Sequence, residues 1–399
     1  MHHIYAGAYL TLSALGAENG DAGLFLPRRP VNIKTRERIK EILGEEKLLW
    51  DTELVGPLRS RGWVFQEHQL SARLVHFGKK RLLWECRSTI AYEDRPRLLH
   101  RSAVNHGVPE NGDAARSSLI CWRFFDGPEE RRSTWGHNWK GRNDVYTQWL
   151  RMAEQYSECC FTFPDHRLSA LSGLASAYST KLDNGEYMAG LWAVDRVRSL
   201  LWCPEKHLQK SPPRFNIKVS ASRRIHTIPS WSWASYNEAV RFICLQPRYF
   251  APSCDPFVKG LYGLVDPHDS NAAVVIQTTP VSDQDKFGPV KDGLLTISSK
   301  TTRVWFKKTW SEQSSRHVYS MSYEDTVYKG RQRRLYFWFS LAEYFMEESI
   351  ETTLIELAHN TFSCGLITRQ AMDQTYQRVR IYILRSQNME WIPQSIQIR

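Results

Sequence analysis

Trp63 and Glu67 stand four positions apart in a stretch, Leu58 to Leu70, whose pattern suits a helix. An indole and a carboxylate therefore share one helical face. On residue types and spacing alone, the carboxylate reads as a surface or capping group beside a core indole. Trp231 and Trp233 alternate in Pro229-Ser-Trp-Ser-Trp-Ala-Ser235, a pattern read as a strand with both rings on one face. Paired rings can be a sugar or ligand platform, or packing in a core or domain interface, which is the expectation here. Asp165-His166-Arg167 collects catalytic residue types but opens a helix, where Asp is expected to cap and the other two to be solvated. His76, between Val75 and Phe77, reads as a hydrogen-bonded structural histidine rather than a base. Cys159 and Cys160 are adjacent on a packed helix and read as inert.

Metal and cofactor motifs are weaker still. The eight cysteines are Cys86, Cys121, Cys159, Cys160, Cys203, Cys244, Cys254 and Cys364. None forms a C-x-x-C pair, and no histidines stand at zinc-finger spacing, so neither a structural zinc nor any other metal is expected. Scattered cysteines in a chain of this size read as reduced thiols of the cytosol. No Ser/His/Asp arrangement, P-loop or glycine-rich dinucleotide motif is legible, and no cofactor is expected.

These residues need a folded frame, and the composition supplies one. The 399 residues include 15 Trp, 17 Tyr and 17 Phe, with 42% hydrophobic and 24% charged, which excludes a mostly disordered chain. The formal net charge is +11, and its densest basic run is Arg28, Arg29, Lys34, Arg36, Arg38 and Lys40. That run is expected to be a solvated loop entering a helix. No nucleic-acid-binding pattern accompanies it, so nucleic acid is not the expected partner. No apolar run approaches the ~18–20 residues that span a bilayer. Ile4 to Ala17 imitates a signal peptide but lacks a basic start and is diluted by Tyr5, Tyr9, Thr11 and Ser13. A cytoplasmic protein without membrane contact is expected.

Along the chain, Met1–Ala8 suits the end of a helix and Tyr9–Ser13 a strand. After the helix over 58–70 comes a hairpin, Arg73–Phe77 and Arg81–Cys86, turning at Gly78-Lys79. Arg87 to about Asn143, rich in Arg, Gly and Pro, reads as a long, partly ordered connection. Val145, Trp149, Met152, Tyr156 and Cys159 recur at helical spacing, predicting a helix over 144–160. A second helix follows Asp165 with a stripe of Leu168, Leu171, Leu174 and Tyr178, and a short third fits Asp195–Trp202. Beyond about residue 215 short alternating runs such as Ala273–Thr278, Leu294–Ser298, Arg303–Phe306 and Val379–Leu384 predict strands.

Four stretches together resemble the fungal heterokaryon-incompatibility (HET) family. Met1-His-His-Ile-Tyr-Ala-Gly-Ala-Tyr-Leu-Thr-Leu-Ser-Ala14 with Gly23-Leu-Phe-Leu-Pro27 is similar to its M-x-x-I-Y-x-x-A … G-L-F segment. Leu58-Arg-Ser-Arg-Gly-Trp-Val-Phe-Gln-Glu67 is similar to the L-x-x-R-x-W-T-x-Q-E motif, continuing to Trp84-Glu85-Cys86. Phe163-Pro-Asp-His-Arg-Leu-Ser-Ala-Leu-Ser-Gly-Leu-Ala175 and Pro229–Ser235 are the third and fourth.

The resemblance implies a self/non-self recognition factor of fungal programmed cell death, with other HET or incompatibility proteins as partners and self-assembly among them. It also implies a TIR-like α/β fold, some of whose members cleave NAD with a glutamate in a Trp-x-x-x-Glu step. Carried over, that glutamate is Glu67, with Trp63 supporting it, and NAD would be a substrate. The family's Ser-Tyr-x-Trp-Gly strand and its Trp-Ile-Asp and Cys-Ile-x-Gln segments have no counterpart here. The chain is therefore expected to begin in the last third to half of the domain and not to turn NAD over by itself; an inactive remnant, decoy or non-catalytic interaction module is the alternative. The expected fold is α+β: a partial TIR-like domain and trailing hairpin over 1–90, a mainly helical region over 91–215 and a β-rich region over 216–399.

Overall fold

Alternation decides the first sheet. In β2 (Arg73–Phe77) and β3 (Leu82–Cys86) every second residue is buried, so Leu74, His76, Leu83 and Glu85 share the inner face. The hairpin is antiparallel with Leu74 opposite Glu85 and His76 opposite Leu83. The computed structural model describes residues 2–27, 57–79, 81–86, 89–93, 95–100, 145–182, 185–205, 224–245, 272–311, 316–322, 349–359, 363–384 and 391–399. The basic run at 28–40, Cys121, Cys254 and most of the 87–143 connection lie outside these residues. The fold is α+β. Its contacts divide into two compact units: Met1–Phe163 with Ser169–Lys181, and Pro164–Leu168 with Leu182–Arg399.

In the first unit, helix α1 (His2–Gly7) leads to β1 (Thr11–Ser13), and helix α2 (Gly62–Leu70) precedes β2. β1 pairs with β2 in parallel, from Thr11 opposite Leu74 to Ser13 opposite His76. Parallel neighbours need a long crossover, and the chain from β1 through α2 to β2 is one. The sheet runs in the order β1-β2-β3-β4-β5, with β4 (Thr89–Tyr92) and β5 (Arg95–His100) added antiparallel. These last two strands are the ordered part of the stretch expected to be a long, partly ordered connection after Arg87. The Arg- and Pro-rich composition around them masks the alternation that places Ile90 against Leu15 and Leu83.

Helix α3 (Val145–Ser157) buries Trp149, Met152 and Tyr156, the predicted stripe, and ends before Cys159. Helix α4 (Arg167–Ser179) buries Leu168, Leu171, Leu174 and Tyr178. Trp149 meets Tyr178 edge-on at 5.2 Å, and Tyr156 meets Phe65 of α2 at 5.5 Å.

The second unit starts with a tight hairpin, β6 (Tyr187–Met188) and β7 (Leu191–Trp192). Its two turn residues have positive φ, 46° at Ala189 and 99° at Gly190, as the right-handed twist of a two-residue hairpin requires. Short helix α5 (Arg196–Leu200) follows, and β8 (Trp202–Pro204) pairs with β9 (Val240–Phe242).

The predicted β-rich end is a seven-stranded sheet of β10 (Ala273–Pro280), β11 (Val290–Ser311), β12 (Arg316–Ser322), β13 (Ser349–His359), β14 (Ser363–Gln370), β15 (Tyr376–Leu384) and β16 (Ile392–Ile398). The 22-residue β11 absorbs two of the predicted short runs, pairing with β10 and β16 along its first half and with β13 and β12 along its second. β16 also touches β15 at Tyr376 and Ile398, so β11, β13, β14, β15 and β16 form a closed circuit. Leu295, Ile297, Val304, Phe306, Leu354, Leu366, Ile381 and Ile396 are buried in this unit. Among the described residues no helix is long and apolar enough to cross a membrane.

Candidate functional site

Helix α2 carries both predicted site residues, and its seating fixes where they face. At its start, Gly62 N donates to Cys160 O at 3.1 Å, and residues 61 and 160 form an isolated parallel bridge. A Cβ on Gly62 would lie 1.9 Å from the Phe161 ring, so only glycine allows this approach. α3 stops at Ser157, so both cysteines follow it: Cys159 still bonds back to the helix at Tyr156 O and Gln155 O, whereas Cys160, exposed, bridges to α2 and is not packed on α3 as expected. One turn on, buried Gln66 Oε1 accepts from Gly173 N of α4 at 2.9 Å. These two anchors set the rotation of α2.

Trp63 and Glu67 are both half-buried on that helix, as their four-residue spacing implies. The Tyr5 hydroxyl of α1 donates to the Glu67 carboxylate, and the Arg61 charge faces it. Burial raises the Glu67 carboxyl above its ordinary value, against the hydrogen bond from Tyr5 and the charge of Arg61, which lower it. Burial likewise raises Tyr5, with the Glu67 charge adding to the effect. A carboxylate gripped by one hydroxyl retains acceptor capacity, since each oxygen has two lone pairs.

The next residue turns toward the sheet. His68 Nε2 lies 2.8 Å from Glu85 Oε2, and His76 Nε2 lies 3.0 Å from the same oxygen. The two imidazoles are 5.7 Å apart between centroids. His68, His76 and Glu85 form one buried group whose ligand-type atoms lie within 4.8 Å of each other. His76 is the structural, hydrogen-bonded histidine expected from its sequence neighbours. Sequence reasoning missed its partners. Period-2 alternation could have placed His76 and Glu85 on one face of the hairpin, diagonal to each other. Nothing in linear spacing brings His68 to them.

The other predicted groups separate. Pro229–Ser235 is not a strand: Ser232 Oγ accepts from Ala234 N at 3.1 Å and caps a 3-10 turn, Trp233–Ser235. A serine that bonds its own neighbouring backbone competes with a sheet ladder, which overrides the alternation. Trp231 and Trp233 are fully buried, with indole N–H groups donating to Gly293 O and Gly190 O at 3.4 and 3.0 Å. They are core and offer no ligand platform.

Beside Trp231, the Arg378 guanidinium is buried 3.8 Å from the centroid of Trp202 and donates to the carbonyls of Trp231 and Trp202. Asp165 accepts from Thr227 Oγ1 at 2.7 Å, and His166 is exposed. Arg167, expected in solvent, is buried because it lies four residues before Leu171 and joins the inner stripe of α4.

The chain matches no protein-family model, no curated protein and no solved structure.

Proposed function

We propose that the chain is a HET-type incompatibility factor of the fungal cytoplasm, a self/non-self recognition protein that acts in programmed cell death by assembling with proteins of its own kind. In this reading the first unit is part of a TIR-like domain, and Glu67 is the carboxylate of the NAD-cleaving site of the intact domain. The observation that carries the proposal is the placement of Glu67. It stands one turn after Trp63 on the crossover helix between two parallel strands, held from one side by Tyr5.

Parallel strands joined by a helix are the repeating unit of α/β folds, which supports the TIR-like assignment. In NAD cleavage, positive charge grows on the ribose as the bond to nicotinamide breaks. A fixed carboxylate can hold the ribose hydroxyls and stabilise that charge, as carboxylates do in glycoside cleavage. Tyr5 and Arg61 orient the carboxylate, and Trp63 offers a ring to pack beneath it or stack on the ligand.

A second reading, a non-catalytic interaction module, is favoured by apolar exposure in the same region. Ile4, Tyr9, Leu12 and Phe25 are 67%, 81%, 54% and 84% exposed.

The two readings separate in one experiment: induced expression of the full chain and of Glu67→Ala in a filamentous fungus. Death with loss of cellular NAD, abolished by Glu67→Ala, supports the first. Co-precipitation with HET proteins, equal for both chains and without NAD loss, supports the second.

A further inference from the structure

We propose that His68, His76 and Glu85 form a zinc-binding site that ties helix α2 to the β2–β3 hairpin. The proposal does not depend on the NAD reading. Three different elements contribute one donor each, and the donors converge: both Nε2 atoms approach the same carboxylate oxygen, at 2.8 and 3.0 Å. Two imidazole nitrogens and one carboxylate oxygen are a donor set of open zinc centres, in which water or a substrate takes the fourth position. Donors bound about 2.0–2.2 Å from a tetrahedral zinc stand about 3.3 Å apart. The two carboxylate–imidazole separations reach that value with side-chain movements of a few tenths of an ångström, and all three donor atoms lie within 4.8 Å of one another.

The hydrogen-bond pattern of this cluster places one demand on both rings. For both contacts to be hydrogen bonds, each ring must carry its proton on Nε2 and aim it at one oxygen of a buried carboxylate. His76 Nδ1 is buried with no hydrogen-bond partner among the described residues. Zinc bound at Nε2 would displace the proton from that nitrogen, and the neutral ring would carry its proton on Nδ1. A divalent ion would accept both imidazole lone pairs and a lone pair of the buried carboxylate at one point.

Access is also provided. The side chains of His76 and Glu85 are 4% and 1% exposed, whereas that of His68 is 11% exposed. The ion and its water would enter past His68, the donor on the helix.

The test is titration of the full chain with zinc by calorimetry, repeated with cobalt(II) and followed by visible absorption. The wild-type chain is expected to bind one ion, with cobalt d–d bands and no thiolate charge-transfer band. His68→Ala, at the most exposed donor, is expected to keep the fold by circular dichroism. It should lose roughly a hundredfold or more in affinity, beyond the about 10–100-fold that an outer-shell partner is worth. Glu85→Gln, which keeps the shape but removes the anionic donor, is the second variant and should weaken binding similarly.

A folded wild-type chain that takes up no zinc would overturn the proposal, leaving a hydrogen-bonded trio. So would unchanged affinity in both variants, or a thiolate band placing the metal on cysteines.

Discussion

Two buried polar clusters, one in each unit, handle charge in opposite ways. In the second unit, Arg378 lies against the Trp202 ring and donates to the carbonyls of Trp202 and Trp231. Its backbone N–H donates to Ser230 Oγ, and Trp202 Nε1 donates to Trp231 O. Cation, indole and carbonyls interlock across β8, β15 and the Pro229–Ser235 turn. In the first unit, His68, His76 and Glu85 converge on a single oxygen, and one ring nitrogen is left over. A cluster whose donors each meet an acceptor holds a fold together. A cluster whose donor atoms crowd one point is suited to hold something else.

The largest expected effect tests the first half of that contrast. Arg378→Ala removes one donor from each of the buried Trp202 and Trp231 carbonyls, the latter keeping Trp202 Nε1, and opens a void against the indole. It is expected to destabilise the chain by about 2–5 kcal/mol in chemical denaturation. A loss within experimental error would mean the knot is dispensable.

Next in size, zinc at a hundred times its dissociation constant is expected to stabilise the wild-type chain by about 2.7 kcal/mol. The same zinc should stabilise His68→Ala by no more than about 0.4 kcal/mol, as read from denaturation with and without chelator. Equal stabilisation of both would dissolve the distinction between the clusters.

A smaller loss is expected for Gly190→Ala. Its φ of 99° disfavours a side chain, and an added Cβ would stand 2.8 Å from Trp233 Nε1. A cost of about 1–3 kcal/mol is expected, visible as a lower Tm.

The smallest effect concerns reactivity rather than stability. Cys364 is buried, and burial, with the nearby Glu356 charge adding to it, pushes its thiol up to about 12. It therefore stays protonated at neutral pH, whereas Cys160 is exposed. Mass spectrometry after iodoacetamide treatment should find label on Cys160 and none on Cys364 until the chain is unfolded. Prompt labelling of Cys364 would show that the second unit is less closed than its packing implies.

What could be read from the sequence was whatever local period controls. The stripe of Trp149, Met152 and Tyr156 gives α3, that of Leu171, Leu174 and Tyr178 gives α4, and alternation about Gly78 gives the β2–β3 hairpin. The face shared by Trp63 and Glu67 follows from the same rule. Local bonding defeated the pattern at Ser232, whose hydroxyl turned an alternating run into a capped turn. Composition hid β4 and β5. The trio of His68, His76 and Glu85 was illegible for a different reason. His68 comes from a helix whose rotation is set by Gly62 against Phe161 and by Gln66 against Gly173, contacts about a hundred residues apart in the chain. Spacing rules for metal ligands presuppose that the ligands lie on one local element, and these do not.

The central claim, that Glu67 serves an incompatibility factor acting on NAD, is tested most directly by measuring cellular NAD in a filamentous fungus induced to express the chain. The account predicts that NAD falls before viability does, and that Glu67→Ala, accumulating to the same level, leaves it unchanged. NAD that stays constant while the wild-type chain accumulates in folded form, or that falls equally with Glu67→Ala, would contradict it.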